Sequence, residues 1–309
     1  MFKKLATVGM SVLLAGSVLA GCSSDEKETT GKSGDGYVPK ELTVQFVPSQ
    51  NAESLEAKAK PLEKLLKDEL GIDVKVSVST DYNTIIEAMK SKKVDVGFLP
   101  PTAYVLAKEN DAAEVILQAQ RYGVNEEDGS PTDDLVAEYR SMIVVKADSD
   151  IKSLEDLKGK KMGFQNVTSS AGYVWPAVEM MNAGIDPMAD VETVTLKGHD
   201  QAVLAVLNGD VDAAAVFEDA RNIVKGDYPS VFDDVRVLHR TEPIPNDTIS
   251  VRSDMSDEWK TKIQDAFINI AKSEEGKQIV KDIYSHEGYS KSEDKIFDIV
   301  REYGEKVAE

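Results

Sequence analysis

The sequence predicts an α/β protein of two similarly built lobes that face one cleft. From residue 43 onward, strand-like and helix-like segments alternate, which is typical of mostly parallel sheets covered by helices on both faces. Residues 85–98 and 202–217 also share one pattern, in which an apolar helix leads through a polar turn into an apolar strand. The repeated unit predicts two α/β lobes, and the length of 309 residues leaves room for both.

The N-terminal segment has the pattern of an export signal. Lys3 and Lys4 precede an apolar run over residues 5–19, which is too short for a membrane span and ends in small residues before Cys22. This ending resembles the bacterial lipoprotein signal, in which the cysteine is lipidated and becomes the first residue of the mature chain. We predict a signal peptide over residues 1–21 and lipid attachment at Cys22; a buried structural cysteine is the alternative. Cys22 is the only cysteine, so no disulfide or catalytic thiol is expected in the folded part.

Residues 22–38 are predicted to be a flexible tether, because they are small and polar and cannot bury enough apolar surface to fold. The net charge of −19 becomes −21 when Lys3 and Lys4 leave with the signal (−19 − 2). A chain this acidic is a poor partner for nucleic acid or an anionic membrane surface. It would repel a small anion at long range, so an anion site would need preorganised donors at short range.

The first lobe is predicted to begin with strands over residues 43–47 and 74–78, separated by a helix over 55–70. A helix around residues 85–89 leads into a buried strand over 94–99. Pro100, Pro101 and Thr102 then open another helix, since proline is favoured just inside a helix start. Ligands of such sheets collect at the carboxyl ends of strands, so Thr102 is a candidate donor; an ordinary helix entry is the alternative.

A hydroxyl-rich turn over residues 165–173 follows a strand over 161–164 and opens a helix that runs to Met181. A helix start leaves about four N–H groups without partners in the helix, and its dipole favours an anion. Ser169 and Ser170 add hydroxyl donors, which predicts a site for a phosphate-like or sulfate-like group. The alternative is that Thr168 or Ser169 is an ordinary N-cap.

The other elements are predicted in the same way. An acidic surface loop over residues 125–134 is followed by a strand over 139–145 and a short helix over 148–158. After the hydroxyl-rich turn and its helix we predict a strand over 191–196, a helix over 199–207, a strand over 211–217 and a strand over 235–238. Residues 243–251 are extended and stiffened by proline, which predicts a crossing between lobes. Helices over 259–272, 275–284 and 291–303 are expected to return to the first lobe.

Most motifs of enzyme and metal sites are missing. The sequence has no Walker A loop, no Gly-x-Gly-x-x-Gly, no Gly-x-Ser-x-Gly and no His-Glu-x-x-His, and its three histidines lack metal-ligand spacing. No cofactor or metal is therefore predicted. A hydrolase built on Ser169 or Ser170 with His199 and Glu218 is kept as an alternative, although no nucleophile-elbow pattern supports it.

Several pieces of the sequence, in their order, resemble the substrate-binding proteins of phosphate, phosphite and phosphonate ABC importers. Singly these pieces are weak; together they cover nearly all of the folded part. They are Thr80-Asp81-Tyr82, Lys93 to Phe98, Asn166 to Pro176, Gly198-His199, Glu218 after an apolar strand, and Ile244-Pro245-Asn246-Asp247.

The resemblance implies a type II periplasmic-binding-protein fold, with two lobes joined by two crossing hinge strands, and it implies a ligand site. The phosphorus-oxygen group would lie on the helix start at Ser169 and Ser170, where the family has a third hydroxyl and this chain has Ala171. Further contacts to the anion would come from Tyr82, Tyr139 and His199. Carboxylates at Glu218 and Asp247 would hold a ligand amine or accept a P–O–H donor.

The resulting prediction is a non-enzymatic, lipid-anchored monomer on the extracytoplasmic face of the cell membrane, which delivers a phosphonate, phosphite or phosphate to an ABC permease. Lobe 1 is predicted over residues 39–140 and 245–309, and lobe 2 over residues 141–244. The missing hydroxyl at Ala171 favours phosphite or a methylphosphonate over an aminoalkylphosphonate. A receptor for another small anion, such as a sulfonate or carboxylate, is the alternative binder.

Overall fold

The computed structural model describes residues 36–126, 129–218 and 220–308. The predicted signal peptide, Cys22 and most of the predicted tether lie outside these residues. In chain order the first elements are β1 (Glu41–Phe46), α1 (Ala52–Ala59), α2 (Leu62–Leu70), β2 (Asp73–Val78), α3 (Tyr82–Lys90), β3 (Val96–Leu99), α4 (Pro101–Glu109), β4 (Ala113–Val124), β5 (Pro131–Val136) and β6 (Glu138–Tyr139).

The second series follows after Arg140. It consists of β7 (Ser141–Lys146), β8 (Lys161–Phe164), α5 (Trp175–Asn182), β9 (Glu192–Thr195), α6 (His199–Asn208), β10 (Ala213–Phe217), α7 (Arg221–Val224), α8 (Val231–Asp234), β11 (Val235–Arg240) and β12 (Ile244–Pro245). The chain ends with β13 (Thr248–Arg252), α9 (Asp257–Lys272), α10 (Glu274–Tyr284), β14 (Gly288–Lys291) and α11 (Asp298–Ala308).

The first lobe is built on a sheet with the strand order β14-β4-β13-β3-β1-β2, and β5 pairs with β4. β1 is parallel to β2 and β3, whereas β13 runs antiparallel to β3 and β4. The alternating residues of β1 are buried on one face, where Phe46 stacks on Phe98 with ring centroids 4.1 Å apart. Trp259 and Phe267 of α9 belong to the same buried cluster. Helices α9 and α10 therefore cover this lobe, as the sequence predicts.

The second lobe has a five-stranded sheet of order β11-β7-β10-β8-β9. β8 is parallel to β9 and β10, and β7 is antiparallel to β10 and β11. Val203 and Val206 of α6 are fully buried against this sheet, in one cluster with Val144 and Val216. The parallel part of the sheet places the ends of β8 and β10 at one edge, which is where the site residues of this lobe follow.

Two crossings join the lobes. β6 and β12 form a small antiparallel sheet of their own, in which Tyr139 is opposite Ile244. The strands of the second sheet run from Ser141 to Arg240, inside the range predicted for lobe 2. The two-lobed α/β architecture with two crossing strands is thus the one that the sequence predicts, while the lobe boundaries themselves stay a prediction.

Four predicted elements differ from the structure. The helix predicted over residues 291–303 begins only at Asp298, after the end of β14 and a 3₁₀ turn, Asp294–Phe297. The helix predicted over residues 55–70 is divided into α1 and α2, and Pro61 stands at the break. The predicted surface loop over residues 125–134 contains the start of β5, an exposed edge strand whose polar residues give no apolar alternation. The helix predicted over residues 148–158 is reduced to a single 3₁₀ turn, Glu155–Leu157.

The last helix, α11, packs against both lobes. It contacts α4 of the first lobe and α5 of the second. Trp175 of α5 is fully buried and stacks on Tyr303 of α11, with ring centroids 4.3 Å apart and an angle of 14° between the planes. We call this the α11 contact. None of the helices within the described residues is long and apolar enough to cross a membrane.

Candidate ligand-binding cavity between the lobes

A cavity of about 350 Å³ lies between the two lobes and is lined by both of them. The first lobe contributes Val47, Ser49, Gln50, Tyr82, Phe98, Arg121, Asp247 and Tyr284. Tyr139 of the first crossing also lines it, and the second lobe contributes Ser169, Ala171, His199, Phe217, Asn222 and Ile223. Six of the nine predicted ligand residues are among these: Tyr82, Tyr139, Ser169, Ala171, His199 and Asp247.

The turn after β8 leads into α5 through a π-helical turn. Ser169 is the N-cap, and its Oγ accepts a hydrogen bond of 3.1 Å from the N–H of Gly172. Residues Ser170–Val174 form a π-helical turn before α5 begins. Such turns are rare in proteins, and where they occur they are often at functional sites. The protein's own acceptors occupy the N–H groups of Ser169 and Gly172, whereas the described residues offer none to the N–H groups of Ser170 and Ala171. Of these two residues Ala171 lines the cavity, so its N–H is available to an anion.

The hydroxyl groups of this turn have different surroundings. The phenol of Tyr82 interacts with the hydroxyl of Ser169 across the cavity. Ser170 is fully buried, and its Oγ accepts a hydrogen bond of 3.0 Å from the N–H of Thr102 at the start of α4. Ser170 and Thr102 thus bind each other across the lobes and are not among the described residues that line the cavity. Ser169 therefore has both roles that the sequence left as alternatives: it is the N-cap of this turn and it lines the cavity.

His199 is held as a neutral donor. Its Nδ1 lies 3.2 Å from the backbone N–H of Phe217, which can only donate, and 2.6 Å from Nε2 of Gln165. Nδ1 must therefore be the acceptor, so the ring proton is on Nε2. Burial lowers the pKa of His199 to about 3, against the opposing effect of Asp247. The ring lines the cavity and offers an N–H donor at neutral pH.

Gly172 is what lets Gln165 reach His199. A Cβ at position 172 would lie 2.7 Å from the Cβ of Gln165 and 2.8 Å from its Cδ, closer than side chains approach. The backbone N–H of Gln165 also donates to the carbonyl of Gly172. The absence of a side chain at residue 172 therefore leaves room for Gln165, which holds His199 in the same wall of the cavity.

The two tyrosines are un-ionised donors. Burial, the largest cause, raises the pKa of Tyr82 and Tyr139 above the ordinary value, and the charge of Asp247 adds to the effect. Both side chains are less than a tenth exposed. Each phenol keeps its proton at physiological pH and can give it to a ligand oxygen in a hydrogen bond.

A buried charge cluster forms the first-lobe wall, and sequence reasoning found only one of its members. Asp247 precedes β13, Arg121 lies on the neighbouring strand β4, and His286 precedes β14 on the other side of β4. Arg121 Nη2 is 3.5 Å from Asp247 Oδ2, and His286 Nε2 is 3.6 Å from the same oxygen. The Arg121 guanidinium also lies 4.9 Å from the ring centre of Tyr139. No motif marks Arg121; only the sheet order brings it to the site.

Glu218 is half-buried after β10, and its backbone N–H donates to the carbonyl of Arg140. Its side chain is not among the described residues that line the cavity, although Phe217 is. The arrangement does not fit a hydrolase triad, because Nδ1 of His199 accepts hydrogen bonds and has no proton to give a carboxylate. Within the described residues there is no group of three or more His, Cys, Asp or Glu side chains that could hold a metal ion.

Comparison with known proteins gives one family. Residues 44–297 match the model of the ABC transporter, phosphonate, periplasmic substrate-binding protein family. The phosphate-import protein PhnD of Mycolicibacterium smegmatis is 32% identical over 235 residues, which is 72% of this chain and 69% of that protein. The phosphonates-binding periplasmic protein of Escherichia coli is 26% identical over 246 residues, covering 78% and 70% of the two chains.

Solved structures have the same fold. The binding-protein component of a phosphonate ABC transporter from Pseudomonas aeruginosa has a TM-score of 0.75 at 23% identity, with 88% of each chain covered. PhnD1 of Prochlorococcus marinus, solved with methylphosphonate, has a TM-score of 0.74 at 21% identity, covering 88% of this chain and 99% of that one. The predicted two-lobed periplasmic-binding-protein fold is confirmed.

Proposed function

The chain belongs to the family of periplasmic substrate-binding proteins of phosphonate ABC transporters, and from this premise we propose that it binds a small phosphorus oxyanion between its lobes. Members of this family are the binding components of importers and not enzymes. The ligand would be phosphate, phosphite or a short phosphonate, and the protein would present it to the permease on the extracytoplasmic face.

The observation that carries the proposal is the convergence of uncharged donors on one end of the cavity. These are the N–H group of Ala171, the hydroxyls of Ser169 and Tyr82, and Nε2–H of His199. A hydrogen bond to a charged group contributes about 1.5–3 kcal/mol. Several such bonds overcome the long-range repulsion from a chain with a net charge of −19.

Three relatives support the ligand class by their names. They are the phosphate-import protein of M. smegmatis, the phosphonates-binding protein of E. coli and a probable phosphite-binding protein, PhnD1, of P. marinus. The ligands in these names share a tetrahedral phosphorus with several oxygens, which suits a cluster of convergent donors. Ala171 has no side-chain donor, so its N–H would be the only donor that it gives to the ligand.

The test is calorimetric titration with phosphate, phosphite, methylphosphonate, sulfate and taurine. Tightest binding to a phosphorus compound is expected, and Ser169→Ala should weaken it by about 1.5–3 kcal/mol because a donor to the anion is lost. Ser256→Ala is the matched control, since Ser256 caps α9 in the same way but lies outside the cavity lining. It should cost about 1 kcal/mol of stability and leave affinity unchanged. Tightest binding to sulfate or taurine would refute the phosphorus assignment.

We also propose that the protein is monomeric and attached to the membrane through lipid on Cys22. The proposal rests on the apolar run and Leu-Ala-Gly-Cys ending of the signal segment. Stable anchoring requires more than one acyl chain, so several chains on this cysteine are expected. Cys22→Ala should release the protein or leave the signal uncleaved, as fractionation and the mass of the mature chain would show. A cleaved Cys22→Ala protein that stays in the membrane fraction would contradict the anchor.

A further inference from the structure

The wall of the cavity opposite the hydroxyl-rich turn contains its own counter-charge. Because β4 lies between β13 and β14, Arg121 within β4 is flanked by Asp247, which precedes β13, and by His286, which precedes β14. Arg121 is 5% exposed and His286 is 1% exposed, and both face the same carboxylate oxygen of Asp247 at 3.5 and 3.6 Å. The carboxylate is thus approached by two nitrogen groups of the protein itself.

Of these two groups, Arg121 carries the charge. Burial lowers the pKa of His286 below its ordinary value, although Asp247 opposes the effect, so the imidazole is neutral at neutral pH. A guanidinium stays protonated in proteins. Lys58 and Lys281 also line the cavity, but the Nζ of Lys58 is 3.5 Å from the amide oxygen of Gln50 and that of Lys281 is 2.8 Å from Glu287. Arg121 is therefore the cation that compensates Asp247.

This compensation has a consequence for the ligand. A bare carboxylate in a closed cavity attracts an ammonium group, because an unpaired buried charge is costly. Here the guanidinium is already beside the carboxylate, and an ammonium that approached Asp247 would come close to a like charge in a medium of low dielectric. A ligand with a methyl group, a hydrogen or a hydroxyl on phosphorus meets no such repulsion.

We propose that Arg121 determines specificity in this cavity: by holding the charge of Asp247 it makes the site accept phosphorus oxyanions with uncharged substituents and reject aminoalkylphosphonates. The inference rests on the proposed function and deepens it. Arg121 acts on the ligand's substituent, while the anion itself is left to the donors of the second lobe and Tyr82.

The test exchanges the charge of Arg121 and measures two ligands by calorimetry. The wild-type protein should bind methylphosphonate at least tenfold more tightly than 2-aminoethylphosphonate. Arg121→Met keeps much of the side-chain length but removes the charge, and it should reduce or invert this ratio by at least tenfold through a gain in aminophosphonate binding. Arg121→Lys should retain the wild-type preference. Lys64→Met removes a positive charge from the exposed surface of α2, and it should change neither affinity.

A second variant identifies the group that receives the amine. In Arg121→Met/Asp247→Asn the gained binding of 2-aminoethylphosphonate should disappear, because no carboxylate is left at this position. Wild-type protein that binds 2-aminoethylphosphonate as tightly as methylphosphonate would overturn the inference and leave the proposed function intact. An unchanged ratio in Arg121→Met would overturn it as well.

The pairing itself is tested without ligand. Arg121→Met and Asp247→Asn should each lower the melting temperature, and the double variant should melt higher than the sum of the two shifts predicts, because either single change already removes the interaction between the two side chains. Strict additivity would refute the pairing. If the cycle shows coupling but no phosphorus compound binds, the proposed function fails, the specificity claim fails with it, and the charge pair alone stands.

Discussion

The two lobes meet in two regions of opposite chemistry. At the α11 contact, the fully buried Trp175 of the second lobe stacks on Tyr303 of α11. Around the cavity the lobes meet through hydrogen bonds. Among them are the bonds from Asn166 to Asp81 at 2.8 Å, from the backbone N–H of His199 to the Ser49 carbonyl at 2.9 Å, from the Thr102 N–H to Ser170 Oγ at 3.0 Å, from Asn222 to the Gly129 carbonyl at 3.0 Å, and from Arg240 to the Glu126 carbonyl at 2.5 Å.

The difference teaches which side can open. Apolar surface that leaves a packed contact meets water at a cost of about 25 cal/mol for each Å². A hydrogen bond exchanged for water loses only about 0.5–1.5 kcal/mol. We therefore expect separation of the lobes to begin at the cavity and to leave the α11 contact in place. Ligand would enter on the polar side while the apolar side acts as the pivot.

The largest effect should come from breaking the apolar side. Trp175→Ala removes a fully buried indole between the lobes and should lower the free energy of unfolding by about 3–5 kcal/mol. Trp175→Phe should recover much of this, because the indole N–H has no partner among the described residues and its removal costs no hydrogen bond. Denaturant unfolding measures both.

Trp259→Ala is the control for this change. Trp259 is also buried, but it packs within the first lobe. It should cost comparable stability and leave ligand affinity unaltered, whereas Trp175→Ala should also weaken binding. Equal effects of the two variants on affinity would mean that the α11 contact is no pivot.

Acid should act on the cavity side, where the neutral His199 lies. The unfolded histidine takes up a proton near its ordinary pKa of 6.5, but the folded one does so only near 3, so the unfolded state binds more protons between these values. Stability is fully present above pH 6.5 and is lost as the pH falls. At pH 5 the loss from His199 should be about 2 kcal/mol relative to neutral pH.

Urea unfolding between pH 7.5 and 5 checks this. His199→Gln should remove that part of the acid sensitivity, while the buried His286, whose pKa is also lowered, supplies a remainder. His239→Gln changes a partly exposed histidine of the second lobe and is the matched substitution. A wild-type protein and a His199→Gln variant with the same pH dependence would contradict the neutral, buried state of this ring.

A glycine on each side gives a finer comparison. Gly172→Ala places a Cβ within 2.7 Å of Gln165, and the displacement should cost about 1–3 kcal/mol and weaken ligand binding at least tenfold, since Gln165 positions His199. Gly304→Ala in α11 meets no atom within 4 Å and should instead stabilise the protein by about 0.5–1 kcal/mol. Unfolding and titration of the two variants should give opposite signs. Unchanged affinity in Gly172→Ala would show that Gln165 does not position the histidine.

The smallest effect should come from a single polar contact. Asn222→Ala removes one hydrogen bond to the Gly129 carbonyl and should lower the free energy of unfolding by about 0.5–1.5 kcal/mol. The same experiment on Trp175→Ala fixes the scale. If the loss of Asn222 cost as much as the loss of Trp175, the two regions would not differ in the way that their chemistry indicates.

Most of the residues that line the cavity could be predicted from the sequence, because the ends of strands are recognisable in its pattern. Ser169 and His199 follow predicted strands of a parallel sheet, and such ends meet at one edge, so their proximity could be inferred before any coordinates. Arg121 could not be found in this way. It lies in the middle of a long strand without a motif, and it reaches Asp247 only because β4 is inserted between two strands that are remote in sequence.

The role of α11 was hidden for a related reason. An amphipathic pattern predicts a helix and a buried face, but it does not say which surface covers that face. The expectation that the tail returns to the first lobe holds for α9 and α10, whereas Tyr303 of α11 also meets Trp175 of the second lobe. The hydrogen bond between Ser170 and Thr102 was not predicted either. The sequence indicated each residue separately as a ligand donor and gave no sign that they contact each other.

The π turn at Ser170–Val174 also constrains the length of the chain at this point. A π turn is an α-helical turn with one residue added. Deleting one residue between Ser170 and Val174 would let the turn relax to regular α-helix, but it would rotate everything before it by about 100° relative to α5. Ser169 would then leave the cavity while the helix itself became more regular. Single-residue deletions in this segment should therefore preserve the fold but weaken ligand binding. Deletions in the exposed strand β5 should not have this effect on binding.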